Sequence, residues 1–308
     1  MEARAERLAR TRRFVLSPAA FRKLAVATAV ALYLVILTGA LVRLSGSGLG
    51  CESWPGCERR SFFPEENFHG AVEFGNRVFS VIPVVLALAT GFAARRTRGL
   101  PRWAALVAAG VAAGTVGQAP LGLVTITSGL HPLLVMSHFL LALIVLGGAV
   151  VLALAPWHED RGAAIPGPLP QIGIALAGIT LALVVSGTFA TAAGPHPGDA
   201  AEIQRIGTLE DSVWLHVRVT AAFGITLLFA LAYVTAWRRR YPPLFRVGVA
   251  VLALALAQMI VGELQYRREL PWGLVLLHVA LAGAVWAATV AFVTLLWRPP
   301  ESAAQSAT

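Results

Sequence analysis

Charge is what this sequence has least of. Of its 308 residues, 13% are Asp, Glu, Lys or Arg, whereas 57% are hydrophobic. A water-soluble domain carries about 25% charged residues, so the composition excludes a surface made wholly for water. Cysteine is limited to two positions, Cys51 and Cys57. Neither thiolates nor carboxylates cluster at ligand spacing, which excludes a structural zinc site or a carboxylate-bridged di-iron centre. Short segments of alternating polarity are missing, which excludes a membrane β-barrel. No small-residue cleavage signal follows the first apolar run, which is therefore read as a retained span rather than a signal peptide.

What the chain does contain is long apolar runs. A helical span takes roughly 20 apolar residues, and eight such runs are present, at about 24–43, 71–93, 103–126, 132–155, 171–192, 212–236, 246–264 and 272–296. The expected fold is an all-α integral membrane protein with eight transmembrane helices, arranged as two pseudo-symmetric four-helix bundles. The expected divisions are a basic arm (1–22), a first bundle (23–156), a Pro/Gly-rich linker (157–170), a second bundle (171–297) and a short tail (298–308). The formal net charge of +9 does not point to nucleic acid. Its arginines sit in the N-terminal arm (Arg4 to Arg22), after the second span (Arg95, Arg96, Arg98, Arg102) and after the sixth (Arg238, Arg239, Arg240, Arg246). The positive-inside rule then places both termini in the cytoplasm of a multi-pass protein of the cell membrane, with lipid as its surroundings.

The two halves repeat. Residues 118–138 read QAPLGLVTITSGLHPLLVMSH, and 258–278 read QMIVGELQYRRELPWGLVLLH. Gln118, Gly122 and His138 recur as Gln258, Gly262 and His278, at an offset of 140. Gly39 and Gly46 recur as Gly187 and Gly194 at an offset of 148, which makes the second outer loop eight residues shorter. A fixed offset across several helices indicates internal duplication. Four helices per copy return the chain to the same side, giving a parallel repeat.

Of the seven histidines, His69, His131 and His196 fall in the expected outer loops and His158 in the linker. The other three, His138, His216 and His278, lie inside spans, a few residues from the outer end of each and so roughly 6–10 Å deep. Three imidazoles at one depth in a duplicated apolar bundle point to ligation, and two from facing helices suit haem iron. His216 and His278 form such a pair. His138 faces Asn76, the position 140 residues before His216. Amide is a poor ligand for iron, so this half offers one strong bond and an open position. Glu73 lies three residues before Asn76 and shares its helix face, while Arg77 is placed to meet a haem propionate or to snorkel. An intramembrane carboxylate is expected to serve a site, here as a proton acceptor or hydrogen-bond partner. Cys51 and Cys57, in CESWPGC of the first outer loop, are expected to form a disulfide in that oxidising compartment. Either a loop staple or a redox-active pair fits the spacing.

Taken together, TGALVRLSGSGLGC with WPGC, EFGNR, MSHFLLA, GPHPGD, LHVR and QYRRELPWGLVLLH resemble the heme A synthase family across nearly all eight helices. EFGNR is similar to the variant found in high-GC Gram-positive bacteria. The resemblance implies an oxidoreductase that converts heme O to heme A for cytochrome oxidase, oxidising the C8 methyl to a formyl group. It implies a resident heme B on His216 and His278 in the second bundle. It also implies a heme O substrate site in the first bundle, served by His138 and Glu73, with haem sites toward the outer face. The family carries a second histidine on helix 2, where this chain has Asn76. Heme O synthase, an electron donor and a second copy of the chain are the partners it suggests.

Two other classes compete. A b-type electron-transfer cytochrome commonly stacks two bis-histidine haems across the bilayer, but no intramembrane histidine lies near the cytoplasmic side here. A transporter with parallel repeats would hold its substrate near the midplane, not at the depth of these histidines.

Overall fold

The computed structural model describes residues 15–158, 168–199 and 203–297. Most of the basic arm, the centre of the linker and the C-terminal tail lie outside the described residues. The eight apolar runs are helices α1 (Pro18–Leu44), α2 (Phe68–Arg96), α3 (Arg102–Thr127), α4 (Pro132–Leu154), α5 (Leu169–Ala193), α6 (Leu209–Thr235), α7 (Pro242–Arg267) and α8 (Trp272–Trp297), with a 3-10 turn after α4 (Ala155–His158). All eight are long and apolar enough to cross a membrane. The chain is a multi-pass membrane protein. Helices satisfy their backbone groups internally, which hydrocarbon surroundings require.

Most helices extend beyond the apolar runs, and three of them start on a side-chain cap. Ser17 accepts the Ala20 N–H (3.2 Å) and is followed by Pro18, so α1 starts within the segment expected to be arm. Side-chain oxygens at the first turn satisfy otherwise orphaned donors, and proline at the first position is pre-set for helix. Asn67 accepts the Gly70 N–H (2.5 Å) and starts α2 early, which places His69 in a helix rather than in the loop expected of it. Thr208 does the same for α6 through the Asp211 N–H (3.1 Å).

Within the first half α1 packs on α2, α2 on α3, α3 on α4 and α4 back on α1; α5 to α8 repeat that cycle. The halves meet along α1, α4, α5 and α8. Small residues allow close approach there: a Cβ on Gly283 would lie 3.0 Å from the Tyr33 ring, and one on Gly147 3.2 Å from Trp286 Nε1. Among the hydrogen bonds that cross the seam, Tyr33 Oη donates to the Ala280 carbonyl (2.9 Å) and Trp286 Nε1 to that of Leu143 (2.6 Å). Odd helices end, and even helices begin, on one face, together with the 45–67 loop; we call it the disulfide face.

One consequence concerns glycine. Gly248 on α7 faces the buried ring of Phe292, and a Cβ there would lie 2.9 Å from it and 2.7 Å from Leu231. Gly178 on α5 has nothing within 4 Å. Gly248→Ala should destabilise the purified protein by about 1–3 kcal/mol through overpacking. Gly178→Ala should leave stability unchanged or raise it by about 0.5–1 kcal/mol. Thermal unfolding in detergent measures both.

Candidate functional site

The three span histidines enter from the disulfide face, two turns or less down α4, α6 and α8. Each lies against a glycine of the neighbouring helix. A Cβ on Gly122 would lie 3.4 Å from His138 Cε1, one on Gly187 3.1 Å from His216 Cε1, and one on Gly262 3.0 Å from His278 Cε1. The glycines are thus cradles for imidazoles, and two of them belong to the repeated Gln–Gly–His pattern.

Hydrogen bonds fix which ring nitrogen is available. Ser186 Oγ donates to the Leu183 carbonyl (2.9 Å) and lies 3.0 Å from His216 Nδ1. Nδ1–H therefore donates to Ser186, leaving Nε2 with the lone pair, the arrangement usual for a metal-binding histidine. Gln258 Nε2 lies 3.1 Å from His278 Nε2. An amide nitrogen can only donate, so this ring also has its lone pair on Nε2. Gln118, the repeat partner of Gln258, instead donates to the His138 carbonyl (3.1 Å). His138 Nδ1 and His278 Nδ1, and the Oε1 atoms of both glutamines, are buried without a hydrogen-bond partner.

At the fourth position the duplicated geometry survives with another side chain. Thr38, 148 residues before Ser186, donates to Asn76 Oδ1 (2.7 Å). The hydroxyl is retained and the imidazole is replaced by an amide. The glycine opposite is Gly39, the repeat partner of Gly187, and a Cβ there would meet nothing within 4 Å. The amide leaves open space where the second half has an imidazole.

Glu73 and Arg77 turn toward the 45–67 loop. Glu73, 4% exposed, accepts the Cys51 N–H at Oε2 (2.9 Å) and pairs through Oε1 with Arg77 Nη2 (2.5 Å). Arg77 Nη1 donates to the carbonyls of Ser53 (2.8 Å) and Gly56 (2.5 Å). The expected Cys51–Cys57 disulfide is formed, and both cysteines are buried in a small cluster with Phe74. Glu73 and Arg77 thus clamp the disulfide loop onto α2, a connection that spacing along α2 cannot reveal. His69 bonds Ser47 Oγ through Nδ1 (2.9 Å). It stays on the continuous α2 seven residues before Asn76, about 10 Å along the axis. His131 precedes α4 as its N-cap, and His196 Nε2 lies 2.8 Å from the Leu270 carbonyl.

Sequence reasoning missed Thr38 and Ser186, although both directly precede the repeated glycines Gly39 and Gly187. It also missed a cleft of about 780 Å³ at the disulfide face of the second half, lined by Gly194, Pro197, Arg205, Leu209, Tyr266 and Glu269 among others.

A family model described as cytochrome oxidase assembly protein matches residues 22–290. Among curated proteins, the chain is similar to a protein of Bacillus pumilus named heme A synthase, 31% identical over 151 residues, covering 46% of this chain and 47% of that one. A heme A synthase of Symbiobacterium thermophilum is 30% identical over 145 residues, covering 47% of each chain. One of Geobacillus thermodenitrificans is 41% identical over 70 residues, covering 22% of each. The chain thus spans about half the length of the curated relatives it matches.

The clamp yields a direct test. Arg77→Ala would leave Glu73 buried without its cation, a loss of about 3–5 kcal/mol for a buried ion pair. The loop should lift, and Cys51 and Cys57 should become at least tenfold more accessible to a thiol reagent after mild reduction. Timed alkylation and mass mapping of the peptides read the change.

Proposed function

The chain belongs to the cytochrome oxidase assembly protein family, and from that premise we propose that it is a heme A synthase. In this reading the second half (171–297) holds a resident heme B on His216 and His278, and the first half (23–156) takes heme O as substrate on His138. The observation that carries the reading is the unequal duplication: two imidazoles, His216 and His278, in one half, and in the other a single imidazole, His138, with Asn76 at the position equivalent to His216 and open space beside Gly39.

The residues fit haem. The bundle supplies apolar walls, glycine cradles that fix ring orientation, and a hydroxyl on His216 Nδ1 that raises the basicity of Nε2. Bound haem supplies the redox chemistry, while the protein supplies binding, orientation and exclusion of water. Turning the C8 methyl of the substrate into a formyl group removes four electrons and, when the oxygen is water's, releases four protons. The electrons leave to an external acceptor. His138 anchors the substrate by a single strong bond, which permits release of product. Asn76, held by Thr38, keeps the opposite side open. Glu73 is the buried carboxylate nearest that side along α2; a proton reaching it would loosen its bonds to Cys51 and Arg77. Both termini are assigned to the cytoplasm by the arginine distribution, so the disulfide face and both sites lie outward.

His216→Ala and His278→Ala should each remove the tightly bound haem from membranes. His138→Ala and Glu73→Ala should abolish heme A while keeping that haem, and Asn76→His should retain turnover but slow product release. Absorption spectra, pyridine haemochromes and chromatography of extracted haems give the readout. Heme A at wild-type yield from Glu73→Ala, or loss of the resident haem in His138→Ala, would reverse the assignment of the halves. Heme B alone in every sample would favour an electron-transfer cytochrome.

A further inference from the structure

Two arginines far apart in sequence meet at the end of α5. Arg43, from the last turn of α1, donates through Nη2 to the Thr191 carbonyl (2.7 Å). Arg205, from the loop before α6, donates through Nη2 to the same oxygen (3.0 Å) and also to the Gly194 carbonyl. The two cations are therefore nearest neighbours. Neither has an ion-pair partner among the described residues, and the Nε of each is buried without a hydrogen bond. One arginine would suffice to cap these carbonyls. A second like charge in partly buried surroundings is unfavourable unless an anion compensates it. Burial also lowers the pKa of Arg205 from the usual guanidinium value.

The position of this pair relative to the histidines is set by α5 itself. Thr191 Oγ1 donates to the Gly187 carbonyl (2.9 Å), one turn below, and Gly187 is the cradle of His216. The guanidiniums thus stand about 6 Å along the helix above that cradle. Arg205 also lines the cleft that opens at this face, in the size range of small-molecule sites. The same cleft carries one carboxylate, Glu269. It has no ion pair with either arginine.

We propose that Arg43 and Arg205 form an anion site for the carboxylates of the haem held by His216 and His278, so that the first half contributes a residue to the second half's cofactor site. The inference rests on the assignment of that haem to the second half. An apolar macrocycle with two carboxylates on one edge, bound in an apolar bundle, must present that edge to the polar end. Arginine is the side chain suited to receive it, through paired charge-assisted bonds. Arg77, the sequence candidate for a propionate, is instead committed to the disulfide loop.

The test follows release of haem from the full-length protein to a haem-scavenging globin, using heme B and its dimethyl ester. Wild type should lose the ester about tenfold faster or more than the free acid. Arg43→Gln and Arg205→Gln should release the free acid about tenfold faster than wild type, with little further change for the ester. Arg218→Gln is the charge control, because Arg218 stacks on Trp214 (3.2 Å to the ring centre) near His216 in sequence; it should behave as wild type. Equal release of acid and ester from wild type overturns the proposal without reference to any variant. So does loss of co-purified anionic phospholipid in the two variants with haem release unchanged, which would assign the arginines to a lipid headgroup. Wild-type protein that binds no haem overturns the functional reading itself. Protein that binds haem through His216 and His278 but ignores its carboxylates overturns this inference alone.

Discussion

An imidazole inside an apolar bundle needs room and a partner for each polar atom, and this requirement governs the interior of the protein. Room comes from glycine: His138, His216 and His278 each press on a glycine of the adjacent helix closely enough that a methyl group would crowd the ring. Partners come from short hydroxyls and from Gln258. A buried polar atom without a partner is unfavourable by about 1–3 kcal/mol. The orphaned Nδ1 atoms of His138 and His278 are therefore exceptions to be explained. Sites that receive a ligand are where such exceptions concentrate.

The seam between the halves follows the same rule in another form. Tyr33, Trp286 and Arg43 all cross it, and each donates to a backbone carbonyl of the other half. A carbonyl has two lone pairs, so it can keep its helical bond and accept a side chain as well. The halves are joined without any break in a helix. Arg43 thereby ties the end of α1 to the end of α5, one turn above the His216 cradle.

The helices were legible because hydrocarbon surroundings leave little choice: long apolar runs become helices, and only their ends needed the caps at Ser17, Asn67 and Thr208. Their early starts follow from single hydrogen bonds, which hydropathy cannot register; hence the move of His69 from loop to helix. The three span histidines were legible from the repeat. The Glu73–Arg77 clamp was not, because the partners of Arg77 are loop carbonyls at Ser53 and Gly56, and the path of a loop is not periodic. Arg43 and Arg205 were invisible for a related reason. They come from different halves and share only the carbonyl on which they converge.

Duplication lets one architecture hold two affinities. The second half keeps both imidazoles, with Ser186 fixing the ring of His216. The first keeps the equivalent hydroxyl, Thr38, but spends it on the carbonyl oxygen of Asn76. Gly39 still stands where Gly187 does. The replacement removes one ligand and leaves the space it occupied. In the proposed function that difference separates a cofactor from a substrate: His216 and His278 together would retain a haem, whereas His138 alone beside open space would allow one to arrive, react and depart. Glu73 sharpens the contrast, because its counterpart 140 residues on is Val213, and no carboxylate stands at that place in the second half. The buried carboxylate stands in the half where a proton acceptor would be used, held to the loop by its bonds to Arg77 and the Cys51 N–H.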